Sequence, residues 1–461
     1  MSEQERELAT APISKLLFKL AVPCVAAQVI NALYNIVDRI YIGHLPGEGR
    51  LALGALGICY PIIMMISAFA ALVGNGGAPR ASIALGRGHE QKAQEILNNC
   101  VTAMVCLSVV LFGLFSIFAE PLLRLFGATE SMLPYALDYL RIYLLGTVSV
   151  QITLSMNAFI TAQGFTNVSM FTTLIGAVLN IVLDPIFIFT LHMGVQGAAL
   201  ASVISQTVSA VWVLCFLVGK TTKLKIQKQF LRPKMSVLLP VFALGVSPFV
   251  MQITESAVQS CFNIQMRAYG GADAETLISA VSIMLSILQF SSLPCSGLGQ
   301  GAQPITSFNY GAGQYSRVRE NFFLFLRVNA IYLISFVTLG VLFPGLFARI
   351  FTTDAEVIAL VSHYLPRFLF GMYFFCLLNT CQNTFVALGQ ATRSMCIAML
   401  RKIVLLIPLM FLLPHWLGID GIILAEPVAD VVASCTAAVV FYFFSKTIFR
   451  KEDEKLPGNF G

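Results

Sequence analysis

The chain has 461 residues, of which 57% are hydrophobic and 11% are charged, and its formal net charge is +6. Charged residues make up about a quarter of an ordinary soluble domain, so this composition excludes a water-soluble globular protein. Many apolar runs exceed the roughly 18 residues that a helix needs to cross a membrane, whereas a β-barrel would show short alternating segments. The sequence therefore predicts an all-α integral membrane protein.

Apolar segments predict twelve transmembrane helices. In chain order they cover residues 14–43, 53–80, 95–118, 133–162, 168–191, 195–219, 237–269, 276–302, 320–347, 356–386, 394–414 and 419–445. The polar and charged start of the chain is unlike a cleaved secretory signal, so we expect it to remain as a short cytoplasmic tail.

Lysine and arginine are concentrated in alternate connections, and the most basic of these runs from Gly219 to Pro240. By the positive-inside rule, both termini are predicted to be cytoplasmic, in a multi-pass protein of the cell membrane. We expect an N-lobe at residues 1–219 (spans 1 to 6) and a basic cytoplasmic linker at 220–236. A C-lobe with a short cytoplasmic tail is expected at 237–461 (spans 7 to 12).

The two halves repeat each other, since Pro23 and Gly164 recur as Pro248 and Gly389 at a constant step of 225 residues. Six spans per half insert both halves in the same sense, which predicts a pseudo-two-fold axis along the membrane normal and a central cleft suited to alternating access. The clusters "VGNGGAPRASIALGRG" and "GLGQGAQPITSFNYGAG" predict close helix contacts and a sharp turn after the second span of each half. They lack the strand and the GK[ST] of a phosphate-binding loop.

Eleven cysteines are scattered through the predicted spans without a CxxC pair, and five histidines lie near span ends. Free cysteines in such positions are typical of small core residues. We therefore expect no disulfide, no metal centre other than a possible sodium site, and no cofactor.

Span 1 carries a polar stripe that ends in an acid. Gln28, Asn31, Asn35 and Asp38 are three or four residues apart, which places them on one helical face that cannot face lipid. Ionisable residues inside spans usually mark ion or substrate paths. The alternative is that Asp38 forms an interfacial ion pair with the adjacent Arg39.

Asn180 and Asp184 share one face of span 5. At about 1.5 Å per residue, Asp184 lies at a depth similar to that of Asp38, in the outer part of the membrane, and Ser202 of span 6 can join them. Two carboxylates with amide and hydroxyl oxygens predict a sodium site or a pair that holds a proton. Pro185 either permits a bend there or makes a static kink.

The second half repeats the stripe with Gln252, Glu255, Gln259 and Asn263, and span 12 adds Glu426 and Asp430. The alternative is a hydrated lobe interface. We infer that the deep ionisable groups are acidic, so that the cleft attracts cations. The candidate cleft residues are Gln28, Asn31, Tyr34, Asn35, Gln252, Glu255, Gln259, Glu426 and Asp430. Apolar walls for lipophilic cations are predicted from Tyr34, Met64, Met65, Phe159, Met284 and Phe290.

Over essentially its whole length the chain resembles the MATE transporters, of the NorM and DinF-like type. The most specific elements are Asp38 in "LYNIVDRIYIG" and the segment "NIVLDP" with Asn180 and Asp184. The resemblance implies that these three residues form an N-lobe site for a coupling proton or sodium ion, with Ser202 where many members have threonine. It also implies a monomeric secondary active multidrug exporter that exchanges organic cations or lipophilic drugs for sodium ions or protons, with no role for nucleic acid.

In NorM-like members a glutamate that Glu255 matches works with an aspartate of span 10. Span 10 of this chain offers only Asn379, Gln382 and Asn383. This departure favours the N-lobe as the coupling site.

Three other functions are alternatives to export. A lipid-linked saccharide flippase of the same superfamily should present several deep arginines to a diphosphate. A major-facilitator carrier should have a glycine-aspartate-arginine loop after its second span, where this chain has "ALGRGHEQKA". A membrane-embedded enzyme should show a Ser/His/Asp set or an HExxH motif, and the sequence has neither.

Overall fold

The computed structural model describes residues 2–45, 49–271 and 274–453. Within them lie 11 helices that are long and apolar enough to cross a membrane, and one bent helix pair that makes a twelfth span. The prediction of an all-α protein with twelve spans is confirmed. The spans, numbered 1 to 12, are Ile13–Gly43, Leu51–Gly86, Glu90–Ile117, Leu133–Leu145 with Thr147–Ala162, Thr166–Thr190, Gly194–Val218, Met235–Tyr269, Thr276–Gly311, Tyr315–Leu342, Ala355–Ala387, Ala391–Leu417 and Ile419–Thr447.

Shorter helices connect or interrupt the spans. Glu3–Thr10, Ala119–Leu125 and Pro344–Arg349 are separate α-helices, and Lys228–Phe230 and Leu369–Gly371 are 3₁₀ turns. The segments Ile186–Thr190 in span 5 and Leu400–Leu406 in span 11 have π-helical hydrogen bonding. Such wide turns are frequent at functional sites.

The span ends differ from prediction where glycine or proline sets the boundary. Spans 2 and 8 stay helical for several residues beyond their predicted ends and stop at turns around Gly88 and Gly313, whose φ angles are 76° and 75°. Span 9 stops at Leu342, since Pro344 starts a new helix, a position that suits a residue without an N–H. Span 4 bends by 57° at Gly146, which the sequence did not predict.

The two lobes meet along one seam. Span 1 packs on span 8, and span 2 packs on span 7. A Cβ atom built on Gly76 would lie 2.2 Å from the carbonyl oxygen of Val241, and one on Gly301 would lie 2.4 Å from the Cα of Ala21. These contacts all lie on the membrane side that holds the N-terminus, so the lobes are closed on that side.

The start of the chain is a docked helix rather than a simple tail. Ser2 and Glu5 form a reciprocal capping box at its first turn. Leu8 is buried, and its carbonyl oxygen accepts hydrogen bonds from Asn309 Nδ2 at 3.1 Å and Arg317 Nη2 at 3.0 Å. Lys223 of the linker binds Glu5 at 2.7 Å. The helix therefore joins the linker that follows span 6 to spans 8 and 9 at the closed end of the seam.

The basic connection after span 6 is also tied down. Asn98 of span 3 donates to the carbonyl oxygen of Lys225 at 3.0 Å and accepts from the N–H of Gln227 at 2.7 Å. Its neighbour Asn99 accepts from the N–H of Lys234 at 2.6 Å. These bonds fix parts of the linker against span 3.

The cysteines are only partly core residues. Six of the eleven are buried, whereas Cys106, Cys215, Cys396 and Cys435 are exposed on the outside of the helix bundle. The prediction of small core residues is wrong for those four.

Candidate functional site

Two acids meet inside the N-lobe. The carboxyl groups of Asp38 in span 1 and Asp184 in span 5 lie within hydrogen-bonding reach of each other, and their residues are 8% and 0% exposed. Asn180 Nδ2 lies 3.4 Å from Asp184 Oδ1 and 3.3 Å from the Oγ of Ser202 in span 6. The structure thus brings together all four residues of the predicted cation site.

Three oxygens of this cluster are left without a partner. Asp38 Oδ1, Asn180 Oδ1 and Asp184 Oδ2 are buried and accept no hydrogen bond from the described residues. A buried acceptor without a donor costs about 1–3 kcal/mol, and more if it is charged. A hard cation such as sodium is coordinated by carboxylate and carbonyl oxygens of this kind, and a proton can be shared between the two carboxylates.

Arg39 does not form a direct ion pair with Asp38. Its guanidinium lies over the ring of Tyr60, 5.7 Å from the centroid, and no ion pair among the described residues joins Arg39 to Asp38. The phenol of Tyr34 interacts electrostatically with both acids. Within the described ranges, the acids are therefore not neutralised by a bound base.

Span 5 changes its helical type directly after the acid. The α-helix runs from Thr166 to Pro185, and the next turn is π-helical, closed by a bond from the N–H of Leu191 to the carbonyl oxygen of Ile186 at 2.9 Å. Proline cannot donate to the preceding turn. Asp184 thus lies next to a change of helical type, at a proline that removes one backbone hydrogen bond from the helix.

The C-lobe has a buried ionic cluster. Glu426 and Asp430 of span 12 are each 1% exposed. Arg401 of span 11 donates from Nε to Asp430 Oδ1 at 2.5 Å and from Nη2 to Glu426 Oε1 at 3.1 Å. Its guanidinium also lies 5.0 Å from the ring centroid of Phe375. The prediction that Glu426 and Asp430 line the cleft is wrong, because they face Arg401 inside the lobe.

A second base on span 11 reaches toward the cleft. Lys402 Nζ lies 3.0 Å from Glu255 Oε1, and the Glu255 side chain is 59% exposed. The inference that the deep ionisable groups are all acidic is therefore wrong. Arg401 and Lys402 were missed although "LRK" lies well inside the predicted span 394–414, which is itself a signal of function.

The remaining candidate cleft residues form two groups that differ in how much of each residue is exposed. Asn31 and Asn35 are exposed, and Gln28, Tyr34, Gln252 and Gln259 are half-buried. Two predicted wall residues, Phe159 and Met284, are 0% exposed within separate hydrophobic cores. Helical periodicity cannot distinguish a lobe interior from a cleft wall, and this is why those two predictions fail.

Arg401→Met is expected to destabilise the protein by about 3–5 kcal/mol, because it leaves two buried carboxylates without a counter-ion. Unfolding in detergent, followed by circular dichroism, measures the change. The triple variant Arg401→Met, Glu426→Gln, Asp430→Asn should recover most of the loss. Arg367→Met serves as the control: Arg367 pairs with Asp420 at 3.0 Å at half-exposed positions, which is worth about 0–1 kcal/mol. Equal effects of the two single variants would contradict the prediction.

Known proteins match this chain over nearly its whole length, in sequence and in structure. "Multidrug export protein MepA" of Staphylococcus haemolyticus is 24% identical over 433 residues, which are 93% of each chain. The protein of that name from Staphylococcus saprophyticus is 25% identical over 458 residues, 97% of each chain. A solved multidrug resistance MATE family transporter in an outward-facing conformation aligns with a TM-score of 0.89 at 21% identity, covering 98% of this chain and 99% of the other.

Among the other solved structures, MATE in a bent conformation aligns with a TM-score of 0.90 at 21% identity, covering 98% of this chain and 99% of the other. The MatE family model matches residues 23–186 and 249–412, one segment in each half. The two matched segments correspond to the two halves of the internal repeat, and together they cover more than half of the chain. The chain belongs to the MATE family of membrane transporters and is a transporter rather than an enzyme.

Proposed function

We propose that this chain is a secondary active multidrug exporter of the cell membrane, which exchanges organic cations or lipophilic drugs for sodium ions or protons. The observation that carries the proposal is the buried pair of Asp38 and Asp184, whose free oxygens lie beside Asn180 and Ser202. A pair whose net charge changes by one unit when a sodium ion or a proton binds can couple that binding to a change of shape.

The cargo chemistry follows from the open side of the cleft. Glu255 of span 7 and Asn31 and Asn35 of span 1 are exposed, and we expect them to line the cleft. Arg401 and Lys402 are 5% and 2% exposed, and both are engaged by carboxylates. Neither base is free for a diphosphate, so the cleft suits a cation better than the anionic cargo of a flippase. The relatives are named for multidrug export, which supports drugs as the cargo.

The proposed topology places both termini in the cytoplasm, with lobes at 1–219 and 237–461 and a linker at 220–236. The closed end of the seam then faces the cytoplasm and the cleft opens outward. Export by a monomer requires the two lobes to rock about the seam, so that the same cleft alternately faces each side.

Efflux from proteoliposomes tests the proposal. Vesicles that contain the purified protein and a fluorescent organic cation are given either a sodium gradient or a proton gradient, each without the other. One gradient is expected to drive cation movement, and collapse of that gradient with a matching ionophore should stop it. Protein-free vesicles give the background, and a response to neither gradient would contradict ion-coupled antiport.

A further inference from the structure

The charges of the ionic cluster in the C-lobe do not balance. Three carboxylates, those of Glu255, Glu426 and Asp430, face two bases, Arg401 and Lys402, and three ion pairs of 2.5–3.1 Å join them. The phenol of Tyr60 also interacts electrostatically with Glu255, but a phenol is neutral near pH 7 and leaves the count unchanged. With all five residues ionised, the cluster has one excess negative charge.

The pair of Lys402 and Glu255 connects this cluster to the cleft. The Lys402 side chain is 3% exposed, whereas that of Glu255 is 59% exposed. Water and cargo can thus reach the carboxylate, while its counter-ion stays inside the lobe. An ion that enters the cleft must compete with Lys402 for Glu255.

A displaced Lys402 would have a second acceptor inside the lobe. Glu426 Oε2 and Asp430 Oδ2 are buried without a hydrogen-bond partner among the residues that the structure describes. Lys402 already interacts electrostatically with Glu426. A lysine ammonium on a flexible four-carbon stem can move between two such acceptors.

We propose that Glu255 binds a cargo with one positive charge and that Lys402 is a tethered counter-ion, which the cargo displaces toward Glu426. A monovalent cation brings the net charge of the cluster to zero, whereas a divalent cation leaves an excess of +1 and a neutral compound leaves −1. Net charge inside a lobe is unfavourable, so the cluster selects monovalent cargo. This inference rests on the proposed function and names its substrate class.

Ethidium and propidium test the charge selection, because they share one aromatic body and have one and two positive charges. Binding to the purified protein in nanodiscs is measured by fluorescence without any gradient. The protein is expected to prefer ethidium. Lys402→Met makes the excess −2 and should shift the ratio of the two affinities toward propidium by about tenfold, as for other close charge pairs. Lys402→Arg should keep the original ratio.

Glu255→Gln provides a second test, in which the altered side chain is exposed and Lys402 keeps Glu426 as a neighbouring acid. It should weaken ethidium binding by about tenfold. Lys19→Met removes an exposed ion pair with Glu7 far from the cleft and should leave both affinities unchanged. An unchanged affinity ratio in Lys402→Met, or full ethidium affinity in Glu255→Gln, would overturn the inference. Because binding is measured without gradients, failure of ion-driven efflux would reject the proposed function separately.

Discussion

Asp38→Asn and Asp184→Asn are each expected to reduce ion-driven efflux to the background of protein-free vesicles while the protein stays folded. Asparagine keeps the shape of the side chain, but it has no charge for a sodium ion and no proton to exchange. Each acid is nearly or fully buried, and no base in the described part of the chain pairs with either. Removing such a charge relieves a desolvation penalty, so the thermal stability of both variants should equal or exceed that of the original chain.

The combination of lost transport and kept stability distinguishes a coupling site from a structural one. Asp138→Asn is a matched control, since Asp138 is an exposed aspartate of span 4 in the same half of the chain. It should transport normally. Efflux in proteoliposomes and thermal unfolding in detergent are measured on all three variants. Normal efflux by both Asp38→Asn and Asp184→Asn would remove the basis for the proposed N-lobe coupling site.

The N-lobe cluster could be located from sequence because two simple rules determine its geometry. Side chains three or four residues apart share a helical face, which placed Asn180 beside Asp184. A constant rise per residue gives depth, which placed Asp184 level with Asp38. The structure adds which oxygens are left free, and that depends on the packing of spans 1, 5 and 6 against each other.

The C-lobe cluster could not be derived in the same way. Arg401 and Lys402 are adjacent in sequence, and an α-helix would direct them about 100° apart, with no indication of which faces the cleft. In the structure they lie in the π-helical segment Leu400–Leu406, which alters the face that each residue presents. The partners on span 12 follow from tertiary packing, which a single sequence does not specify.

Two features of the backbone were also beyond prediction, namely the docking of the first helix and the bend of span 4. The docking of the first helix depends on a buried bond between Asn309 and the carbonyl oxygen of Leu8, two residues 301 positions apart. The bend of span 4 occurs at Gly146, where a Cβ atom would lie 2.9 Å from Val203 of span 6. Glycine in a span is compatible with either a straight or a bent helix, and only the neighbouring helix decides between them.

Gly245→Ala is expected to open the seam between the lobes and to impair transport strongly. A Cβ atom on Gly245 of span 7 would lie 1.8 Å from the carbonyl oxygen of Leu72 in span 2. That oxygen belongs to a helix backbone and cannot move aside without shifting the span. Overpacking of this kind costs about 1–3 kcal/mol, which changes the ratio of closed to open seam by roughly 5- to 150-fold.

Hydrogen–deuterium exchange measured by mass spectrometry reports the seam directly. In Gly245→Ala, the amides of residues 72–86 and 235–245 should exchange faster, while those of the lobe interiors should not change. Gly113→Ala is the matched control, because Gly113 lies in a helix where an added Cβ atom would meet no described atom within 4 Å. Alternating access requires the seam to close on one side while it opens on the other. Gly245→Ala should therefore lower efflux even though the N-lobe acids are intact. Unchanged exchange in Gly245→Ala would mean that the glycine contacts do not hold the lobes together.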